Sequence, residues 1–291
     1  MLAAKQLGKK YKASWALEPL TIELAGGMYG LLGPNGAGKS TFMKLLGGLL
    51  APTTGEALLG GVPVRDLKRA RSRIGYVPQS FRMYPQLTAR EWLLHAARLR
   101  NFGTRVEQEL QVRSLLASLN LERYADLPAR TYSSGMVKRL GIAQSLVGDP
   151  AAIIVDEPTA GLDPEERLNL RNTLAELAMT RVVLFSTHVL SDIEASCREV
   201  IVLQQGKLRY NGQLSGLARF AQDRLWQWEA SEREWRSLAQ EALVFARKTA
   251  DGVVCRMINS RQPTPYAELV TPTMEEGYLA LIGNEEDGMA G

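Results

Sequence analysis

Nine residues near the start of the chain, GPNGAGKST from Gly33 to Thr41, set three glycines and a proline ahead of a lysine and two hydroxyls. Glycines let several backbone N–H groups turn toward one anion, and a helix beginning behind them adds partial positive charge. Lys39 then reaches the outer phosphates of a ligand as a point charge, and Ser40 offers its hydroxyl to Mg²⁺. The spacing is that of the phosphate loop GxxxxGK[ST], which needs a strand before it and a helix after it to carry weight. Taken alone, the nine residues could also be a turn that binds nothing.

Three further stretches carry groups that such a loop would need. AAIIVDEP, residues 151–158, is an apolar run ending in Asp156 and Glu157. Read as a strand, it points the two carboxylates to opposite sides, so Asp156 holds Mg²⁺ through its water shell and Glu157 accepts a proton from an attacking water. RVVLFSTH ends in His188, whose imidazole can donate to a γ-phosphate or position that water. The second histidine, His95, lies in the helical REWLLHAARL and reads as structural. In TYSSGMVKRLGIAQSLVGDP, Ser133, Ser134 and Gly135 precede a helical pattern with Val137, Leu140, Ala143 and Val147 on one face, a second anion-binding helix start. Singly these are an acidic turn, a strand-end imidazole and an N-cap; their order along one chain changes the reading.

The positioning elements are legible in the apolar pattern. MYGLL before the loop reads as a strand, and STFMKLLGGLL after it as a buried helix with Phe42, Met43, Leu45, Leu46 and Leu49 turned inward. Unbroken apolar strands suit a parallel sheet covered on both faces, where ligands gather beyond the carboxyl ends. TAREWLLHAARLR and VEQELQVRSLLASLNL are two helical stretches between Gln79 and Thr131. Beyond Gly212 three tryptophans, Trp226, Trp228 and Trp235, fall within ten residues and read as core. LWQWEA alternates as a strand. SEREWRSLAQEAL opens a helix with a capping box of Ser231 and Glu234, LVFARKTADGVVCRMIN is two strands about Asp251-Gly252, and TPTMEEGYLALIG is a helix with a second box, Thr273 and Glu276.

Composition sets the frame. The 291 residues are 45% hydrophobic and 23% charged, with net charge +4, the balance of a folded globular chain. The one dense basic run, Arg65 to Arg73, reads as a solvated helix face, with lipid headgroups or nucleic acid as the alternative. No stretch reaches the ~18 apolar residues of a membrane span and no secretory signal is visible, so a cytosolic chain is expected. Cys197 and Cys255 lack partners at metal or redox spacing.

Together these residues resemble the nucleotide-binding subunits of ATP-binding cassette (ABC) transporters, of the ABC-2 and multidrug-exporter kind, over at least residues 1–212. GPNGAGKST resembles their Walker A, IIVDEP their Walker B, and YSSGM stands where LSGGQ is usual. Gln79 in YVPQS resembles the Q-loop, Asp163 in AGLD the D-loop, His188 the switch histidine, and Tyr11 the aromatic that stacks on adenine. The resemblance implies an α/β P-loop NTPase fold over residues 1–213: a RecA-like core, an antiparallel β subdomain and a helical subdomain at about 80–148. Residues 214–291 form a small α+β accessory domain, and PTMEEGYLAL is similar to the endings of exporters of antibiotics, lipids or polysaccharides.

It further implies that Tyr11, Gly33, Pro34, Asn35, Gly36, Ala37, Gly38, Lys39, Ser40 and Thr41 bind ATP, that Ser40, Gln79 and Asp156 hold Mg²⁺, and that Glu157, His188 and Gln79 serve catalysis. Ser133, Ser134, Gly135 and Met136 would meet the γ-phosphate bound to a second subunit, with Asp163 at the dimer contact. Met136 departs from the usual glutamine and has no hydrogen to donate. The implied protein hydrolyses ATP at the cytoplasmic face of the cell membrane to power transport, in the export direction, by separate transmembrane permease subunits. It pairs with a second nucleotide-binding subunit, identical or homologous, and no nucleic acid is expected. The alternative class is a soluble ABC ATPase acting on nucleic acid or ribosomes. SFRMYPQLTARE resembles the surface that receives a coupling helix, although Phe81 and Tyr84 fit a subdomain core equally.

Overall fold

The computed structural model describes residues 1–65, 73–238 and 243–283. The chain divides into two compact units, Met1–Asn211 and Gly212–Gly291.

The first unit opens with a hairpin of β1 (Leu2–Tyr11) and β2 (Ser14–Leu24), followed by β3 (Gly27–Leu32), α1 (Lys39–Leu46), β4 (Thr54–Leu59) and β5 (Val62–Pro63). Four of these strands make an antiparallel sheet of order β2-β1-β4-β5. Then come β6 (Ile74–Val77), α2 (Ala89–Leu99), α3 (Arg105–Ser118), α4 (Ser134–Leu146), β7 (Ala152–Val155), α5 (Pro164–Ala178), β8 (Val182–Thr187), α6 (Leu190–Glu194), β9 (Glu199–Gln204) and β10 (Lys207–Gln213). The second sheet has the order β10-β9-β3-β8-β7-β6, parallel from β9 through β6. Every residue of β7 and β8 is buried, as unbroken apolar strands covered on both faces require.

Helix α1 lies in one hydrophobic cluster with residues of both sheets, among them Leu7, Leu17, Leu31, Ile154 and Leu184. Phe42 and Met43 are fully enclosed there, each worth about 1.5–3 kcal/mol of apolar burial. That packing fixes the helix start, and with it Lys39. Leu49 does not join it: two glycines follow Leu46, the helix ends, and Leu49 is exposed.

Helices α2 and α3 form as the sequence suggests, each opened by a capping box, Thr88 with Glu91 and Thr104 with Glu107. Helix α4 differs from its expected single apolar face. It packs on β6 and β7 and also against α2 and α3. Accordingly Gly135, Met136, Leu140, Gly141, Ile142, Ala143, Ser145 and Leu146 are all buried, and Val147 lies just past its end.

The second unit holds β11 (Leu225–Ala230), α7 (Glu232–Ser237), β12 (Leu243–Lys248), β13 (Val253–Ile258), β14 (Glu268–Leu269) and α8 (Met274–Gly283). Its antiparallel sheet has the order β12-β13-β11-β14. Trp228 is buried with Cys255 and Met257, and Trp226 and Trp235 pack around them. Both capping boxes form, Ser231 with Glu234 and Thr273 with Glu276. The helix read from SEREWRSLAQEAL is described only as α7, since residues 239–242 of it lie outside the described residues.

Candidate functional site

The loop from Gly33 to Gly38 leaves β3 at the carboxyl edge of the parallel sheet, where Leu32 pairs with Thr187 of β8. Its glycines answer a close approach. A Cβ on Gly33 would stand 2.2 Å from the Leu203 carbonyl oxygen, and one on Gly38, whose φ is +100°, 2.7 Å from that of Ala16. The Gly206 N–H donates to the Ala37 carbonyl at 3.0 Å, bracing the loop from β9 and β10. The outer residues Pro34, Asn35 and Gly36 are exposed. Lys39, the first residue of α1, is buried, and its ammonium donates to the carbonyls of Gly33 at 2.6 Å and Pro34 at 3.1 Å. Burial pushes its pKa down, opposed by the nearby carboxylates of Glu157 and Asp156.

The two carboxylates are not neighbours along a strand. β7 stops at Val155, and Glu157 takes a left-handed backbone with φ +47°, so alternation across a pleat does not separate them. Their surroundings do. Asp156 is buried, and its Oδ1 accepts from the Ser186 hydroxyl at 2.6 Å. The same Ser186 oxygen accepts the Glu157 N–H at 2.9 Å, which holds the unusual backbone of Glu157 in place. The Glu157 side chain turns instead to Gln79, whose amide donates to Oε2 at 2.7 Å, and to His188, with Nδ1 3.6 Å from Oε1. His188 is half-exposed and Glu157 largely covered. Gln79 follows β6 and His188 follows β8, so three adjacent strand ends deliver an amide, a carboxylate and an imidazole to one place.

A family model described as "ABC transporter" matches residues 18–160. The chain is 36% identical over 234 residues to the uncharacterized ABC transporter ATP-binding protein YxlF of Bacillus subtilis, covering 80% of this chain and 78% of that one. The chain belongs to the ABC transporter ATP-binding family. It is also 33% identical over 287 residues to the probable multidrug ABC transporter ATP-binding protein YbhF of Escherichia coli, covering 92% of this chain and about half (49%) of that relative. Among solved structures, the ATP-binding cassette MJ0796, a dimer in a post-hydrolysis state with ADP and Pi, matches with a TM-score of 0.66 at 28% identity, over 73% of this chain and 98% of that one. The protein is thus an ATP-binding, ATP-hydrolysing subunit of a transporter.

At the start of α4 in this ABC subunit, Ser134 lines a cavity with Gln79, Asp156 and Glu157. Ser133 caps α4, its hydroxyl accepting the Met136 N–H at 3.2 Å, so one of the four N–H groups at that helix start is already engaged. Ser133 and Ser134 are exposed, whereas Gly135 and Met136 are buried. Gly135 is required by packing: a Cβ there would stand 2.0 Å from Oε2 of Glu166. Ser133 lines a cavity of about 530 Å³ with Tyr124, Met136, Arg139 and Glu166, and no residue of the 33–41 loop borders it. Asp163 caps α5, accepting from the Glu166 N–H at 2.9 Å. Tyr11 ends β1 and is exposed, so it is not a packing aromatic. Phe81 is half-buried against Gly141 and meets Trp92 edge-on, whereas Tyr84, edge-on to the same Trp92, is 68% exposed. His95 is exposed on α2. Residues 66–72 of the basic run lie outside the described residues, and among the described residues no helix is long and apolar enough to cross a membrane.

Ser186 belongs to no motif in the sequence. Its signal is a pair of hydroxyls, Ser186 and Thr187, closing a fully buried and otherwise apolar strand just before His188.

Proposed function

We propose that the edge of the parallel sheet hydrolyses the γ-phosphate of ATP, with Glu157 taking the proton of the attacking water. The convergence of Gln79 and His188 on the two oxygens of Glu157 carries this reading. As the water oxygen bonds to the γ-phosphorus and ADP leaves, Glu157 receives the water proton, while His188 steadies the phosphoryl oxygens and Gln79 orients the carboxylate. The bare backbone of Gly33–Gly38 and the Lys39 ammonium grip the β- and γ-phosphates, Thr41 lies two residues beyond Lys39 on the same helix start, and Tyr11 stacks on adenine.

The donor set fits Mg²⁺. Ser40, Gln79 and Asp156 offer hydroxyl, amide and carboxylate oxygens, and among the described residues no group of three or more His, Cys, Asp or Glu side chains is placed to hold a metal ion by itself. A cation that keeps water and substrate phosphates as ligands takes such a sparse set. When bound, it neutralises charge on the β- and γ-oxygens. Ser186, by fixing Oδ1 of Asp156, aims the carboxylate that would hold it.

ATP is held between two subunits, loop of one against α4 of the other; the reading is supported by the Ser133 cavity, which no residue of the 33–41 loop borders. Ser133 and the Gly135 amide supply the donors; buried Met136 supplies none. Asp163 contacts the partner across the same junction. ATP closes the pair because both halves bind one phosphate, and hydrolysis removes the shared contact.

The subunit works at the cytoplasmic face of the membrane beneath permease chains, with exposed Tyr84 toward them and Phe81 linking that surface to α4. Export is supported by the similarity to a relative named for multidrug transport, which spans both units. The test is Glu157→Gln, which should bind ATP, accumulate a closed dimer and slow turnover about 10²-fold or more. A wild-type rate would refute the assignment. Copurification of a membrane chain in detergent tests the partner, and ATPase stimulation by DNA or RNA would instead favour the nucleic-acid class.

A further inference from the structure

Behind the reacting edge lies a carboxylate that no motif includes. Asp192, on α6, is completely buried. Its Oδ2 accepts the Thr159 hydroxyl at 2.7 Å and lies 3.4 Å from that of Thr187. Thr159 stands two residues after Glu157, and Thr187 immediately precedes His188. Thr187 also accepts the Val189 N–H at 3.0 Å, so the short link carrying His188 is pinned on both sides. Oδ1 of Asp192 has no hydrogen-bond partner but faces two guanidiniums of α5, Arg171 at 3.8 Å and Arg167 at 3.9 Å. That helix starts at Asp163.

A buried carboxylate of this kind is costly to keep unless charge and hydrogen bonds hold it. Both are present, and each leads to a different part of the site: one oxygen to the turn after Glu157 and the link before His188, the other to the helix behind Asp163. We propose that Asp192 is a positioning residue for hydrolysis, fixing Glu157 and His188 relative to one another and tying both to the Asp163 end of α5. The inference rests on the catalytic roles assigned above to Glu157 and His188. It makes a distinct claim: the pair works only while a third, non-contacting carboxylate clamps the two turns. The side-chain bonds of this clamp include no residue of the phosphate loop, so nucleotide affinity should not depend on them.

The full chain is assayed as Asp192→Ala, Asp192→Asn and Thr159→Val, each alone and combined with His188→Ala. Steady-state phosphate release gives kcat and KM, and titration with a fluorescent ATP analogue gives affinity. Asp192→Ala is expected to lower kcat about tenfold or more with affinity within about twofold, and to add less than about twofold to the loss already caused by His188→Ala. Asp192→Asn, close in shape, and Thr159→Val, which loses only the hydroxyl bond, should each reduce kcat several-fold without raising KM; these two keep the test usable if the alanine variant does not fold. Multiplying losses in the double variants, or a rise in KM at unchanged kcat, would overturn the proposal. So would an unimpaired Asp192→Asn and Thr159→Val beside an impaired His188→Ala, leaving the catalytic reading intact. A His188→Ala protein at the wild-type rate would remove that reading and this inference with it.

Discussion

Replacing Ser186 by alanine removes one oxygen atom and isolates two groups. Ser186 is fully buried, donates to Oδ1 of Asp156 at 2.6 Å and accepts the Glu157 N–H at 2.9 Å. The first bond involves a charge and the second a buried backbone donor, so losing each costs about 1–3 kcal/mol, or roughly 2–4 kcal/mol together once partial relaxation is allowed. Part of this appears as stability and part in the barrier, because the released N–H belongs to the residue held at φ +47°. If half of it falls on the barrier, about 1–2 kcal/mol, kcat drops about 5- to 30-fold at 1.4 kcal/mol per factor of ten. KM should move less than about threefold, since Ser186 has no bond to the 33–41 loop. Phosphate release at saturating ATP, nucleotide titration and urea unfolding separate the three quantities. Ser186→Cys, a weaker donor and acceptor, should lie between the two. A folded Ser186→Ala protein with kcat within about twofold of wild type would refute the claim that this hydroxyl sets the carboxylates.

Two further outcomes follow from the loop and the hairpin. Lys39→Ala removes a buried cation that already bonds two loop carbonyls, and ATP affinity should fall about 10- to 100-fold by titration; unchanged binding would contradict its placement on the phosphates. Tyr11→Ala should leave the fold untouched because the ring is exposed, and should weaken ATP about 3- to 10-fold while leaving inorganic triphosphate unaffected; equal losses would contradict stacking.

The parts of the site that could be read in the sequence are those whose meaning is local. The glycines at 33 and 38, the apolar runs of β7 and β8 and the capping boxes of Ser231 and Thr273 each declare themselves within a few residues. The Ser186 bridge joins positions 30 apart and the Asp192 clamp joins 33, so no window on the chain contains them. The backbone of Glu157 is another such case. A run ending in Asp-Glu suggests strand, and only the hydrogen bond from across the sheet shows that the chain has already turned. Helix α4 reads from its apolar residues as burying one face, yet the small residues Gly135, Gly141, Ala143 and Ser145 are buried as well and let it sit between β6 and the helices α2 and α3. In the second unit the two-residue β14 pairs with β11 from about 40 residues away and leaves no periodicity to detect.

ATP lying between two subunits is tested most directly by a structure of the Glu157→Gln protein with ATP and Mg²⁺. It should show a dimer in which the Ser133 hydroxyl of each chain lies within hydrogen-bond distance of the γ-phosphate seated in the Gly33–Thr41 loop of the other. A nucleotide held by one chain alone, with Ser133 facing away from any subunit contact, would contradict it.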